Sequence, residues 1–111
     1  MDDAKTEGDR LLGVLNALAN PHRLRIIETL QANGRTYVSR LARELGISRP
    51  LLHLHLRKLE EAGLVDSQLE LSEDGKSLNF FQVTPFHLVL TPLNLAAAAR
   101  SLSAPAKKTD E

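Results

Sequence analysis

The 111-residue chain contains no cysteine and no tryptophan. The first absence excludes a disulfide framework, a thiolate metal site and a cysteine nucleophile. Aromatic residues make up only 4% of the chain, which argues against a stacking platform for sugars or unpaired bases. Long apolar runs are missing too. The longest candidate, FHLVLTPLNLAAAA (Phe86 to Ala99), is 14 residues and holds His87, Pro92 and Asn94, whereas a membrane-spanning helix needs ~20 apolar residues. The start, MDDAKTEGDR, is acidic and polar rather than basic and then apolar as a secretory signal would be. A cytoplasmic protein is expected. There is no glycine-rich phosphate loop and no readable Ser–His–acid arrangement, so an enzyme is not expected. The four histidines (His22, His53, His55 and His87) are dispersed, and neither a metal site nor a cofactor is expected.

Net charge is also absent: 14 basic residues balance 14 acidic ones. The distribution is uneven, however. Between Arg35 and Lys58 lie Arg35, Arg40, Arg43, Arg49, Arg57 and Lys58 against the single acid Glu44, a local charge of +5. The acids collect at Asp2, Asp3, Glu7 and Asp9, and again from Glu60 to Asp74. Phosphate attraction acts over about a Debye length, so a local basic surface on a neutral chain can hold a polyanion. A solvated face with chance clustering would look the same.

What is present is a succession of helices. Leu11, Leu12, Leu15 and Leu18 recur at steps of three and four from Asp9 to Ala19. Asn20-Pro21 is a cap followed by a first-turn proline, and opens PHRLRIIETLQAN with Leu24, Ile26, Ile27 and Leu30 inward, ended by Asn33-Gly34. Thr36-Tyr37-Val38 reads as a short extended piece. SRLAREL then forms a short helix stopped by Gly46, and Ser48 caps another from about Arg49 to Ala62, closed by Gly63. Beyond Gly63 the pattern turns strand-like, with Asp74-Gly75 as a hairpin signal and a second strand running through SLNFFQVTPFHLVL. Thr91-Pro92 opens a last helix to about Ser103. One domain over residues 9–103 is expected, with a disordered start (1–8) and tail (104–111).

The stretch SRPLLHLHLRKLEEAGLV, Ser48 to Val65, decides between functions. Read as a strand, it places His53, His55 and Arg57 side by side, as a metal might need. Read as a helix, residues two apart lie ~200° around the axis, so His53 and His55 point apart. Ser48, Gly63 and the run Glu60-Glu61-Ala62 favour the helix. Its inner face is Leu52, Leu56 and Leu59, flanked by Leu51, His55 and Ala62; its outer face is Pro50, His53, Leu54 and Arg57. Short helix, tight turn, basic helix and hairpin together make a helix-turn-helix with a wing: an α+β, mainly α fold.

The candidate double-stranded DNA contacts are Ser48, Arg49, Pro50, His53, Leu54 and Arg57 on the recognition helix (about 49–62), Arg40 on the supporting helix, and Lys76 at the tip of the wing (about 64–90). Arg offers a bidentate fork to guanine or phosphate, and Leu54 could meet a thymine methyl. His53, Leu54, Arg40 and Lys76 would be equally at home in solvent. Glu73 and Asp74 beside Lys76 oppose DNA. His55 reads as a packed histidine rather than a base reader.

The runs LANPHRLRIIETL and SRLARELGISRPLLHLHLRKLEEAGLV resemble the ArsR-type (arsenical-resistance repressor-like) winged helix-turn-helix regulators over about residues 10–90. The carrying features are Leu18-Ala19-Asn20-Pro21 with Arg23 and Ile26, the turn Leu45-Gly46-Ile47-Ser48, and His55-Leu56 followed by Leu59 and Ala62-Gly63-Leu64-Val65. The resemblance implies a homodimer on palindromic DNA, usually a repressor, paired through N- and C-terminal dimerisation helices. Leu11, Leu12, Leu15, Leu93, Ala97 and Leu102 are the residues proposed for that seam: Leu11, Leu12, Leu15, Leu93, Leu95 and Leu102 exceed what one small core needs, and the small residues Ala96 to Ala99 permit close helix–helix approach, whereas packing back on the chain's own domain is the alternative. Metal sensing does not carry over. Family sensors have Cys-x-Cys in the first helix of the motif, where Tyr37 to Leu45 has none, and the His and acid ligands other sensors carry in the last helix are missing from Leu93 to Ser103. The segment VTPFHLVLTP resembles an extension in some winged-helix proteins. No small-molecule effector is assigned by the sequence. A winged-helix protein-interaction module without a DNA target is the alternative, favoured by Leu54 and the neutral net charge.

Overall fold

The computed structural model describes residues 5–103. Five helices and three strands follow in the order α1 (Glu7–Leu18), α2 (Pro21–Asn33), β1 (Thr36–Tyr37), α3 (Val38–Leu45), α4 (Arg49–Glu61), β2 (Val65–Leu71), β3 (Ser77–Val83) and α5 (Pro92–Arg100). The strands form one antiparallel sheet in the order β1-β3-β2. The expected disorder at residues 1–4 and 104–111 lies outside the described residues.

Local chemistry sets the boundaries. Thr6 and Asp9 form a reciprocal cap: Thr6 Oγ1 accepts from the Asp9 amide at 3.0 Å, and the Asp9 carboxylate accepts from the Thr6 amide at 3.4 Å. Helix α1 therefore begins at Glu7, two residues ahead of the expected start. Asn20 Oδ1 accepts from the amides of His22 (2.9 Å) and Arg23 (3.2 Å), and Pro21 occupies the first turn of α2. Gly46 adopts φ +69, a left-handed conformation that costs a residue with a Cβ, and this turns the chain sharply from α3 into α4.

The core is continuous. Ala17 of α1, Ile26 and Leu30 of α2, Leu41 and Ala42 of α3, Leu52, Leu56 and Leu59 of α4, then Leu64, Val65 and Phe81, are all buried. Leu24 departs from expectation and is 53% exposed. The stripe of α2 is centred on Ile26 and Leu30, and a residue two positions from Ile26 lies on the far side of the helix.

The wing is shorter than expected and does not run to Leu90. Strand β3 ends at Val83: Thr84 still faces Leu64 in register, its amide donating to the Leu64 carbonyl (3.0 Å) and its hydroxyl to the Gly63 carbonyl (2.8 Å), but the Leu64 amide is already given to the Leu59 carbonyl of α4. Pro85, with no N–H, cannot extend the ladder. Residues 84–91 form an irregular strap, and His87 sits in it, exposed, rather than on a strand.

Helix α5 is capped by Thr91, whose hydroxyl accepts from the Asn94 amide at 3.1 Å. It lies across α1. The Gly8 amide donates to Ser101 Oγ at 2.8 Å, and the Ser103 amide donates to Asp9 Oδ1 at 3.0 Å. Hydrogen bonding from Ser103, together with the Thr6 bonds, holds the Asp9 carboxyl down at about 2. A Cβ at Gly8 would sit 2.1 Å from the Ala98 carbonyl oxygen, so only glycine permits this approach. Gly13, on the same helix, has nothing within 4 Å of that position. Gly8→Ala should therefore destabilise the chain by about 1–3 kcal/mol despite its better helix propensity. Gly13→Ala should leave stability unchanged or raise it by up to ~1 kcal/mol. Thermal unfolding of the two variants checks the contrast; equal melting temperatures would refute it.

Candidate nucleic-acid interface

Ser48 caps α4, its hydroxyl oxygen accepting from the Leu51 amide at 3.3 Å. From that start the helix divides cleanly. Leu52, His55, Leu56 and Leu59 are buried, while Arg49, Pro50, His53, Leu54, Arg57 and Lys58 are exposed, Leu54 at 47%. The two histidines point in opposite directions, as helical geometry requires.

His55 is 6% exposed. Arg23 Nη1 lies 3.2 Å from its Nδ1. A guanidinium only donates, so Nδ1 accepts and the neutral ring carries its proton on Nε2. Burial first, then the charge of Arg23 and the neighbouring His22, pushes His55 below the ordinary histidine value. His55 is a packed, neutral ring.

The basic residues do not act as one set. Arg35 donates to Glu70 at 2.9 Å and stacks 4.1 Å from the Phe80 ring centre. This raises the Arg35 pKa and lowers that of Glu70, chiefly through the hydrogen bond between them. Arg40 Nε lies 3.2 Å from Glu44 one turn along α3. Among the described residues, Arg43, Arg49, Arg57 and Lys58 make no ion pair.

A cleft of about 200 Å³ brings the end of β1 (Tyr37), the start of α3 (Val38, Ser39), the outer face of α4 (Arg49, His53) and β3 (Ser77, Leu78, Asn79) together. Tyr37 precedes α3 without a side-chain cap, so the first amides of that helix have no capping partner. Ser39, Ser77 and Asn79 were absent from the candidates above. A period-two signal exists for two of them: Ser77 and Asn79 share a face with Phe81, the strand residue that enters the core. Lys76 is elsewhere, at the hairpin tip. Its amide donates to Ser72 Oγ at 3.1 Å, and Ser72 also donates its hydroxyl to Asp74. Glu73 and Asp74 are exposed beside it.

Of the six seam candidates, Leu11, Leu12 and Leu15 lie on α1, Leu93 and Ala97 on α5, and Leu102 just beyond its end. Leu11 and Leu15 are half-buried, whereas Leu12, Leu93, Ala97 and Leu102 are exposed, Leu93 at 76%. None of the α5 residues is buried. Among the described residues, no helix is long and apolar enough to cross a membrane, and no group of three or more His, Cys, Asp or Glu is placed to hold a metal.

Two helices joined by a glycine turn, and a three-stranded sheet whose last two strands follow them as a hairpin, define a winged helix-turn-helix protein. Comparison with known proteins agrees. A family described as a helix-turn-helix domain matches residues 18–68. An uncharacterised HTH-type transcriptional regulator of Methanocaldococcus jannaschii is 40% identical over 70 residues, spanning 63% of this chain and 72% of that protein. The homodimeric winged helix-turn-helix DNA-binding domain of a possible ArsR-family transcriptional regulator from Mycobacterium bovis superposes with a TM-score of 0.60 at 28% identity, over 68% of this chain and 64% of that one. HlyU from Vibrio cholerae gives 0.58 at 25% identity, over 82% and 86%. The chain belongs to the HTH-type transcriptional regulators and has the winged-helix fold of these neighbours. A transcriptional regulator is not an enzyme class.

The division of α4 can be read directly by urea unfolding. Leu52→Ala should cost about 2–5 kcal/mol, whereas Leu54→Ala should fall within about 0.5 kcal/mol of wild type. Comparable losses at both positions would mean that the outer face of α4 is not outer.

Proposed function

We propose that this chain is a sequence-specific, double-stranded DNA-binding repressor that acts as a homodimer in the cytoplasm, through one DNA-binding domain over residues 9–103. Helix α4 lies in the major groove, and the β2–β3 hairpin meets the neighbouring backbone. One observation carries the reading: α4 turns Arg49, His53 and Arg57 outward beside the polar edge of β3 while its apolar stripe is held in the core. A helix ~10–12 Å across fits a groove ~12 Å wide. Arg49 and Arg57, without ion pairs among the described residues, are free to approach phosphate or guanine. Ser48, Pro50 and Leu54 complete the helix's contact surface. Ser39 and the uncapped amides of α3 add a place for a phosphate oxygen. Arg40 reaches phosphate only by exchanging Glu44, and Lys76 only past Glu73 and Asp74, so both contribute less than Arg49 and Arg57.

The dimer seam is formed by Leu11, Leu12, Leu15, Leu93, Ala97 and Leu102. The Mycobacterium bovis neighbour, homodimeric and DNA-binding by its name, supports both halves of the reading. The exposed Leu54 favours a second one, in which the outer face binds a protein.

Arg49→Ala/Arg57→Ala should weaken binding to duplex DNA and flatten its salt dependence by ~0.9 in log–log slope for each phosphate contact removed. Fluorescence anisotropy over a salt series measures this; no DNA binding, or binding unchanged in the variant, would put the protein-interaction reading ahead. Separately, Leu12→Glu/Leu93→Glu should convert a dimer into a folded monomer in sedimentation. A wild-type monomer, or a variant that still dimerises, would remove the proposed seam.

A further inference from the structure

Arg23 joins three helices. Its Nε–H donates to the Ala17 carbonyl at 2.8 Å, and its Nη1–H to His55 Nδ1 at 3.2 Å. Ala17 belongs to the last turn of α1, which carries no basic residue of its own. Arg23 thus supplies the cation that the carbonyl end of α1 lacks, and holds the middle of α4 with the same guanidinium. His55 sits on the inner face of α4, flanked in sequence by the outward residues His53, Leu54 and Arg57. Nothing among the described residues bonds its buried Nε2.

We propose that Arg23–His55 is a positioning latch for α4, and that proton uptake by His55 opens it, so that mildly acidic pH weakens the presentation of the outer face. For the effect on DNA this rests on the function proposed above; the latch itself does not. A protonated His55 loses the lone pair that accepts from Arg23, and places a second cation 3.2 Å from the guanidinium. The groups around it deepen the effect. From α2, the His22 ring lies 5.1 Å away, centre to centre. Lys5, Lys58 and Glu61 line one cleft with Arg23, and Glu61 is the acceptor available there to a released guanidinium. The latch is fully made above the ordinary imidazole value of 6.5 and is lost as pH falls from there through the lowered value of the folded state. His53, exposed on the same helix, is a second imidazole on the face proposed to meet phosphate, and is removed from the test.

The experiment therefore uses the full chain carrying His53→Gln, with and without His55→Gln. Glutamine keeps an acceptor for Arg23 but does not titrate. From about pH 7.5 down to the lowest pH at which both proteins stay folded, the α4 backbone amides should shift in a single titration when His55 is present and stay put in H55Q. Affinity for duplex DNA should fall roughly 5-fold or more over the same range with His55 and stay level without it. Equal pH responses in both proteins overturn the latch. An α4 titration lost in H55Q with no DNA binding at any pH keeps the latch and overturns the DNA reading instead. Should H55Q fail to fold, ring NMR of the wild type decides. A His55 titrating below 6.5 from an Nε2–H tautomer supports the latch; one titrating at or above the ordinary value, or protonated on Nδ1 when neutral, overturns it.

Discussion

Leu52, Leu56 and Leu59 are almost wholly buried against Ile26, Leu41 and Leu64, and this packing fixes the rotation of α4 about its own axis. Rolling the helix to present a different face would expose all three. At about 1.5–3 kcal/mol each, the cost is roughly 5–9 kcal/mol. Exposed ion pairs such as Arg40–Glu44 cannot compete with that. The outward direction of Arg49, His53 and Arg57 is thus a consequence of leucine burial rather than of any attraction among the polar residues. Gly46 adds the second constraint: its left-handed turn sets the angle at which α3 supports α4. The hairpin follows from α4 as well, because Leu64 and Val65 enter the same core immediately after the helix ends.

Electrostatics then refines what packing has aimed. A chain with no net charge carries a basic segment, yet the fold withdraws part of it: Arg35 is taken by Glu70 and Phe80, and Arg40 by Glu44. Arg35 thereby becomes a tie between the loop before β1 and the sheet's outer surface. The remaining cations concentrate on and near α4, and the acids of the wing tip confine the attractive field to that helix. A polyanion approaching this molecule meets a narrow positive stripe, which suits a docked helix better than a wide non-specific surface.

Much of this was legible in the sequence, because caps and glycines act locally. Asn20-Pro21, Ser48, Gly46 and Thr91-Pro92 each fix a boundary through bonds within four residues, and the three-and-four spacing of leucines placed the inner face of α4. The losses have a common cause. Leu24 fits a helical stripe, but which stripe is buried depends on what α3 and α4 bring against α2. The apolar run after Val83 looks like strand, yet the Leu64 amide is taken by Leu59 and Pro85 has no N–H, so the ladder ends. Thr6, with Asp9 three residues on, was a readable cap hidden by a charged terminus. The cleft joining Ser39, His53 and Asn79 arises only from tertiary folding. Arg35's engagement with Glu70 likewise spans 35 residues and leaves no local trace.

The layer formed by α1 and α5 obeys a different logic from the core. Helix α5 buries none of its residues within the chain, although Leu93 and Leu95 are apolar and exposed, as is Leu102 just beyond its end. Its attachment to α1 is directional: the Gly8 amide on Ser101, the Ser103 amide on Asp9, and the close approach of Gly8 to Ala98. Hydrogen bonds and a steric notch define where α5 lies, but contribute little of the apolar burial that stabilises a helix in water. An amphipathic helix placed accurately and left uncovered has its burial still to make, and Leu12 on α1 lies exposed in the same layer. The proposed pairing of two copies would supply that burial while leaving α4 untouched on the other side of the core. Leu11, Leu12 and Leu15 of the proposed seam and Arg49 and His53 of α4 line different clefts, whereas α1 and α4 meet around Arg23.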